Sequence, residues 1–174
     1  DWSDIWRPAI EDHEQNHDRG IRDILVSAIR DISQSLASDK PGHVPALLSK
    51  FESKKCTIFI RLALHLMRLF PQTSGEKIKE YLTDKKMFEG HELRHEYALL
   101  LKEQFKNLEA PSQLQILSWI EEGPDDLNDL IEYRKRETGV PSSVQEIERY
   151  KQSWQLKQLI LINEFLPDEW KGKY

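Results

Sequence analysis

The stretch Ile21-Arg22-Asp23-Ile24-Leu25-Val26-Ser27-Ala28-Ile29-Arg30-Asp31-Ile32-Ser33-Gln34-Ser35-Leu36 decides the fold class. Ile21, Ile24, Leu25, Ala28, Ile29, Ile32 and Leu36 recur at i, i+3, i+4 and i+7, the signature of a helix with one apolar stripe. Apolar side chains gain by leaving water and charged ones lose by it, so the stripe is expected to be buried. Arg22, Asp23, Arg30 and Asp31 then face solvent. Gly20 precedes the helix, and Ser38-Asp39-Lys40-Pro41-Gly42 breaks the chain after it.

Moving outward, Cys56 to Phe70 is apolar most of the way round. Ile58, Phe59, Ile60, Leu62, Ala63, Leu64, Leu66, Met67, Leu69 and Phe70 require a helix covered on several sides, the expected centre of packing. Arg61, His65 and Arg68, spaced four and three, form a narrow polar ribbon that calls for solvent or a carboxylate neighbour. Such a ribbon is more commonly salt-bridged than an anion site.

Further helices are expected through Trp2, Ile5, Trp6 and Ile10, with Pro8 tolerable only in a first turn, and through Leu47, Leu48 and Phe51. Others run through Ile78, Tyr81 and Leu82, from Leu93 to Leu108, and from Pro111 until Gly123-Pro124 stops the helix. Leu127, Leu130 and Ile131 mark a helix ended by Gly139 and Pro141. Ser142, with Gln145 three residues on, opens a last long one whose buried side is Val144, Ile147, Trp154, Leu156, Leu159, Ile160, Ile162, Phe165 and Leu166. No segment alternates at period two. The reading is all-α, an irregular stack of about eight antiparallel helices, either an α-solenoid or a multi-helix bundle. No repeat of constant period is present. Residues 1–174 are taken as a single helical domain, excised from a longer chain because the sequence opens at Asp1 without a Met.

Composition narrows the function. The 30 acidic and 25 basic residues give a net charge of −5. They are interspersed, so no field of one sign dominates and nucleic acid is not the expected partner. The single cysteine, Cys56, cannot form an intrachain disulfide, and its apolar neighbours suggest a buried thiol in a reducing, cytoplasmic setting. No apolar run has the length of a membrane span, and no leader pattern is present. No phosphate-cradling glycine loop or nucleophile elbow occurs, and Asp125 to Asp129 lacks the ligand pattern of a calcium loop.

Two segments read H-E-x-x-H: His13-Glu14-Gln15-Asn16-His17 and His91-Glu92-Leu93-Arg94-His95. On a helix the two imidazoles would lie one turn apart and could share a Zn²⁺, with the glutamate as general base. The same residues also form two Glu-x-x-His pairs, as in di-iron bundles. Charged Arg94 and Glu96 flank His95, and no third ligand stands out. No metal or other cofactor is therefore assigned, and His91, Glu92 and His95 are kept as the alternative: a metal-binding bundle or a zinc-dependent hydrolase.

Trp2, Trp6 and Trp170 lie near the ends, where aromatic side chains are candidates for protein contact. Trp6-Arg7-Pro8-Ala9-Ile10-Glu11, His95-Glu96-Tyr97, Trp119-Ile120-Glu121-Glu122-Gly123-Pro124 and Leu166-Pro167-Asp168-Glu169-Trp170 resemble helical-array segments of large multidomain bacterial proteins. That resemblance implies a HEAT-like array acting as scaffold or sensor beside a catalytic or nucleotide-binding module. The expected function is a non-enzymatic protein-interaction scaffold whose partner is another protein or a neighbouring domain. A self-associating regulatory segment is a further alternative.

Overall fold

The computed structural model describes residues 2–14, 16 and 20–172, and among them helix is the only regular structure. The chain divides into two compact units, Asp1–Gln104 and Phe105–Tyr174, where the sequence gave one domain by default.

The first unit holds α1 (Ser3–Trp6), α2 (Ile21–Asp39), α3 (Val44–Glu52), α4 (Thr57–Leu69), α5 (Gly75–Leu82), α6 (Lys85–Glu89) and α7 (Arg94–Gln104). Three of its connections are single 3-10 turns, Pro41–His43, Pro71–Thr73 and His91–Leu93. Proline starts two of them, because its fixed φ suits a first turn and it has no N–H to leave unpaired. As the sequence requires, α4 is enclosed: Ile58, Leu62, Ala63, Leu64, Leu66 and Met67 are all buried. It packs most extensively on α3 and α7, with α2 and α5 also against it. The Phe51 and Phe59 rings meet at 5.9 Å, and Tyr97 donates to the Leu82 carbonyl at 2.8 Å.

Three expectations change in this unit. Pro8 does not open a helix; α1 is one turn long, and an irregular strap follows it from Arg7. Cys56 is half-buried and stands in extended backbone at the N-terminus of α4. The largest change is α2, which is helical as expected but turned over. Asp23, Val26, Arg30, Ser33 and Ala37 are buried, while Ile21, Ile24, Leu25 and Ile32 are exposed.

The second unit holds α8 (Ala110–Glu122), α9 (Leu127–Thr138), α10 (Val144–Ile162) and α11 (Asp168–Lys171). Ile116, Leu117, Ile120, Leu159, Ile162, Leu166 and Trp170 are buried. Gln155 donates from Nε2 to the Ile120 and Glu121 carbonyls at 3.0 and 3.1 Å, satisfying helix-end acceptors of α8. Gly123 ends α8 at φ 95° and Gly139 ends α9 at φ 69°, backbone that side-chain-bearing residues rarely adopt. The capping box of α10 is one residue later than expected: Ser143 accepts from the Glu146 amide, and Glu146 accepts from the Ser143 amide. Val144, Leu156 and Ile160, expected inside, are exposed. α9 has no buried residue.

Candidate functional site

The inversion of α2 follows from what its inner face meets. The strap after α1 is irregular, so its amides and carbonyls lack the partners that a helix would supply, and burying them unpaired is costly. Ala9 and Ile10 are nonetheless buried. Side chains supply the missing bonds. Arg7 Nη2 and Arg30 Nη1 donate to the Ile10 carbonyl at 3.1 and 3.0 Å, and Arg61 Nη2 donates to the Pro8 carbonyl at 3.1 Å. The Ile10 amide donates to Glu96 Oε1 at 3.0 Å. Asn16 closes the strap, accepting from the Ala9 amide and donating to its carbonyl.

Charged groups in this seam are paired. Arg61 and Glu96, both essentially without solvent access, make a two-pronged contact at 2.8 and 2.8 Å. Arg7 donates to the Asp23 carbonyl at 3.2 Å and lies 3.8 Å from its carboxylate. Burial and the neighbouring Arg30 lower the Arg7 pKa. Burial would lower that of Arg30 too, but its bonds to Asp31 and Asp12, each 2.7 Å, prevail and raise it. The ribbon on α4 finds the carboxylates its spacing called for: Arg61 meets Glu96, His65 and Arg68 each lie 3.6 Å from Glu11, and Arg68 reaches Glu103 at 3.3 Å.

Glu11 ties the strap to two helices. His95 Nε2 lies 2.9 Å from its Oε1, and His65 Nδ1 lies 3.6 Å from its Oε2. Burial works to raise the Glu11 pKa, but His65 and His95 outweigh it and hold the carboxyl well below the usual range. The bond to Glu11 raises His95 in return. His65 Nε2 is 2.7 Å from Gln34 Nε2. With that amide as donor, His65 carries its proton on Nδ1, directed at Glu11.

The histidine motifs take other roles. His91 and Glu92 stand in the 3-10 turn and His95 in the first turn of α7, so the motif does not lie on one helix. Arg94 lies 2.7 Å from His91 Nδ1, Thr57 donates to Glu92 at 2.7 Å, and His95 faces Glu11. In the other motif, the His13 ring lies 6.1 Å from that of His95, while Gln15 and His17 fall outside the described residues. Among the described residues, no group of three or more His, Cys, Asp or Glu side chains is placed to hold a metal ion.

The seam is thus a clamp with its groups engaged on one another, and the surface it leaves open is the outer face of α2. Ile21 is 75%, Ile24 61%, Leu25 55% and Ile32 68% exposed on one 19-residue helix, a clustering that distinguishes an interaction patch from scattered surface leucines. Of the tryptophans, Trp2 is exposed, Trp6 half-buried and Trp170 buried, so the Trp170 indole is withdrawn from any partner. Periodicity found the α2 stripe but placed it inside; no sequence signal linked Arg7, Arg30 and Glu96 to the strap. No protein-family model, curated protein or solved structure matches the chain. No helix among the described residues is long and apolar enough to cross a membrane.

Proposed function

We propose that the chain is a non-enzymatic helical interaction domain whose docking surface is the outer face of α2. The exposed apolar stripe of Ile21, Ile24, Leu25 and Ile32 carries this reading. A helix whose polar face is spent on internal ion pairs and whose apolar face meets water gains free energy when a second surface covers it. The HEAT-like reading draws support from the three helix, 3-10 turn, helix pairs of the first unit, in which α2 is the first long helix.

Photo-crosslinking tests the reading in cells that make the protein. A photoreactive phenylalanine analogue at Leu25 or Ile32 should give protein adducts identifiable by mass spectrometry, and one at exposed Lys50 should not. Absence of adducts at both stripe positions sinks the reading.

A further inference from the structure

We propose that the occupant of the α2 face is a second copy of this chain, docked with its own α2 antiparallel across a two-fold axis. The proposal rests on the reading of α2 as a docking surface and names its partner.

An interface between identical copies must be self-complementary, each residue i meeting j where j meets i. The stripe satisfies this. Its central line is Ile21, Leu25, Ala28 and Ile32, spaced four, three and four, the a/d spacing of a helix-pair seam. Laid against itself antiparallel, with the two-fold between Val26 and Ser27, Leu25 faces the small Ala28 of the other copy and Ile21 faces Ile32. Large meets small at the crossing, so the helices approach closely, and two branched side chains close each end. Ile24 and Ile29 flank the seam on opposite sides and extend the apolar area.

The charges do not oppose it. Arg22 and Asp31 sit on opposite flanks of the stripe, and an antiparallel pair brings each flank against the same flank of the other copy. The two Arg22 positions, and likewise the two Asp31 positions, are then about 13 Å apart along the axis at 1.5 Å per residue. That exceeds the roughly 8 Å screening length at physiological salt, so like charges do not clash. A lipid surface is the poorer occupant: interfacial helices bear basic flanks, whereas Asp31 borders this stripe and the chain carries net charge −5.

The area sets the strength. A 19-residue helix is about 28 Å long. Covering its stripe removes on the order of 500 Å² from each copy, which just reaches the roughly 1,000 Å² total that a specific interface needs. The dimer is therefore reversible and concentration-dependent.

Sedimentation velocity on the full chain, from about 1 to about 300 μM, brackets the affinity of an interface this small. The expected result is a shift from monomer to dimer across the series, abolished by Leu25→Arg with an unchanged circular dichroism spectrum. Orientation is read separately in a Cys56→Ser background. Ile21→Cys and Ile32→Cys chains, mixed and mildly oxidised, should cross-link to each other, while neither cross-links alone. A monomer at every concentration, a dimer that survives Leu25→Arg, or cross-linking of either chain by itself each overturns the proposal. A monomer that still gives photo-adducts to a different protein removes the second copy and leaves the docking function standing; a monomer with no adducts removes both.

Discussion

Glu11 joins the strap to α4 and α7, and its electrostatics set how stability varies with pH. Its carboxyl titrates below the ordinary range in the folded chain, so its contribution is complete above the unfolded carboxylate pKa and is lost as pH falls toward the depressed value. His95 has the opposite sign. Its folded pKa is raised, so its contribution is complete below the unfolded histidine value and is lost as pH rises through the higher folded one. The melting temperature is expected to peak between those limits, on the order of pH 5 to 6.5. His95→Gln should flatten the alkaline limb alone, and Glu11→Gln both limbs; thermal melts from acid to mildly alkaline pH check this, and an unaltered alkaline limb in His95→Gln refutes it. Arg61 and Glu96 lie deeper. Removing either partner strands a buried charge, so Arg61→Ala or Glu96→Ala should each cost about 3–5 kcal/mol in urea unfolding. In an Arg61→Met, Glu96→Leu double variant no charge is stranded, but the Ile10 amide still loses its acceptor. That variant should fall short of wild type by about 1–3 kcal/mol, less than the two single losses together.

At the scale of the element, α2 marks the boundary of what a pattern can tell. Periodicity reports which side chains share a face, and it placed Ile21 to Leu36 on a helix and α4 at the centre of packing. It does not report which face turns inward. That choice belongs to partners distant in the chain: Glu96 and Arg61 fix the strap, the strap's carbonyls recruit Arg30, and Arg30 turns α2 so that its isoleucines meet water. The ribbon Arg61, His65, Arg68 was legible because its three residues lie close in sequence, whereas its carboxylates come from the strap and from α7. The orientation is testable by substitution in dilute protein. Ile24→Gln and Ile32→Gln should stay within about 0.5 kcal/mol of wild type, as surface changes do. Ala37→Leu, at a fully buried position, should cost about 1–3 kcal/mol through overpacking. The reverse order in urea titrations would put the stripe back inside. The glycine stop of α8 was legible from sequence alone, since Gly-Pro after an apolar helical run has few other uses. At φ 95° a Cβ at Gly123 is strained and would approach the Lys151 methylenes at 3.0 Å. Those methylenes can yield but the backbone cannot, so Gly123→Ala should destabilise by about 1–2 kcal/mol, measured the same way.

Across the whole molecule, burial is distributed unevenly, and protection from hydrogen exchange should follow it. An amide exchanges through the cheapest opening that exposes it, and that opening is cheap where few apolar contacts are lost. In the first unit α4 is enclosed by α2, α3, α5 and α7, so its amides open only when the packing around it does. In the second unit α9 buries no side chain, and Leu130 and Tyr133 are exposed along it. Its bond to α10 through Arg134 and Glu146 is a solvent-exposed ion pair, a type that contributes at most about 1 kcal/mol. Ser143 and Glu146 cap α10 but leave α9 with only its own helical bonds, and an isolated helix of 12 residues is marginal in water. Amides of residues 130–138 should therefore exchange orders of magnitude faster than those of residues 61–69, and trypsin should cut first at Arg134, Lys135 or Arg136. Protection of α9 equal to that of α4 in dilute solution would mean that another surface covers it there, and the second unit would then carry a docking face of its own.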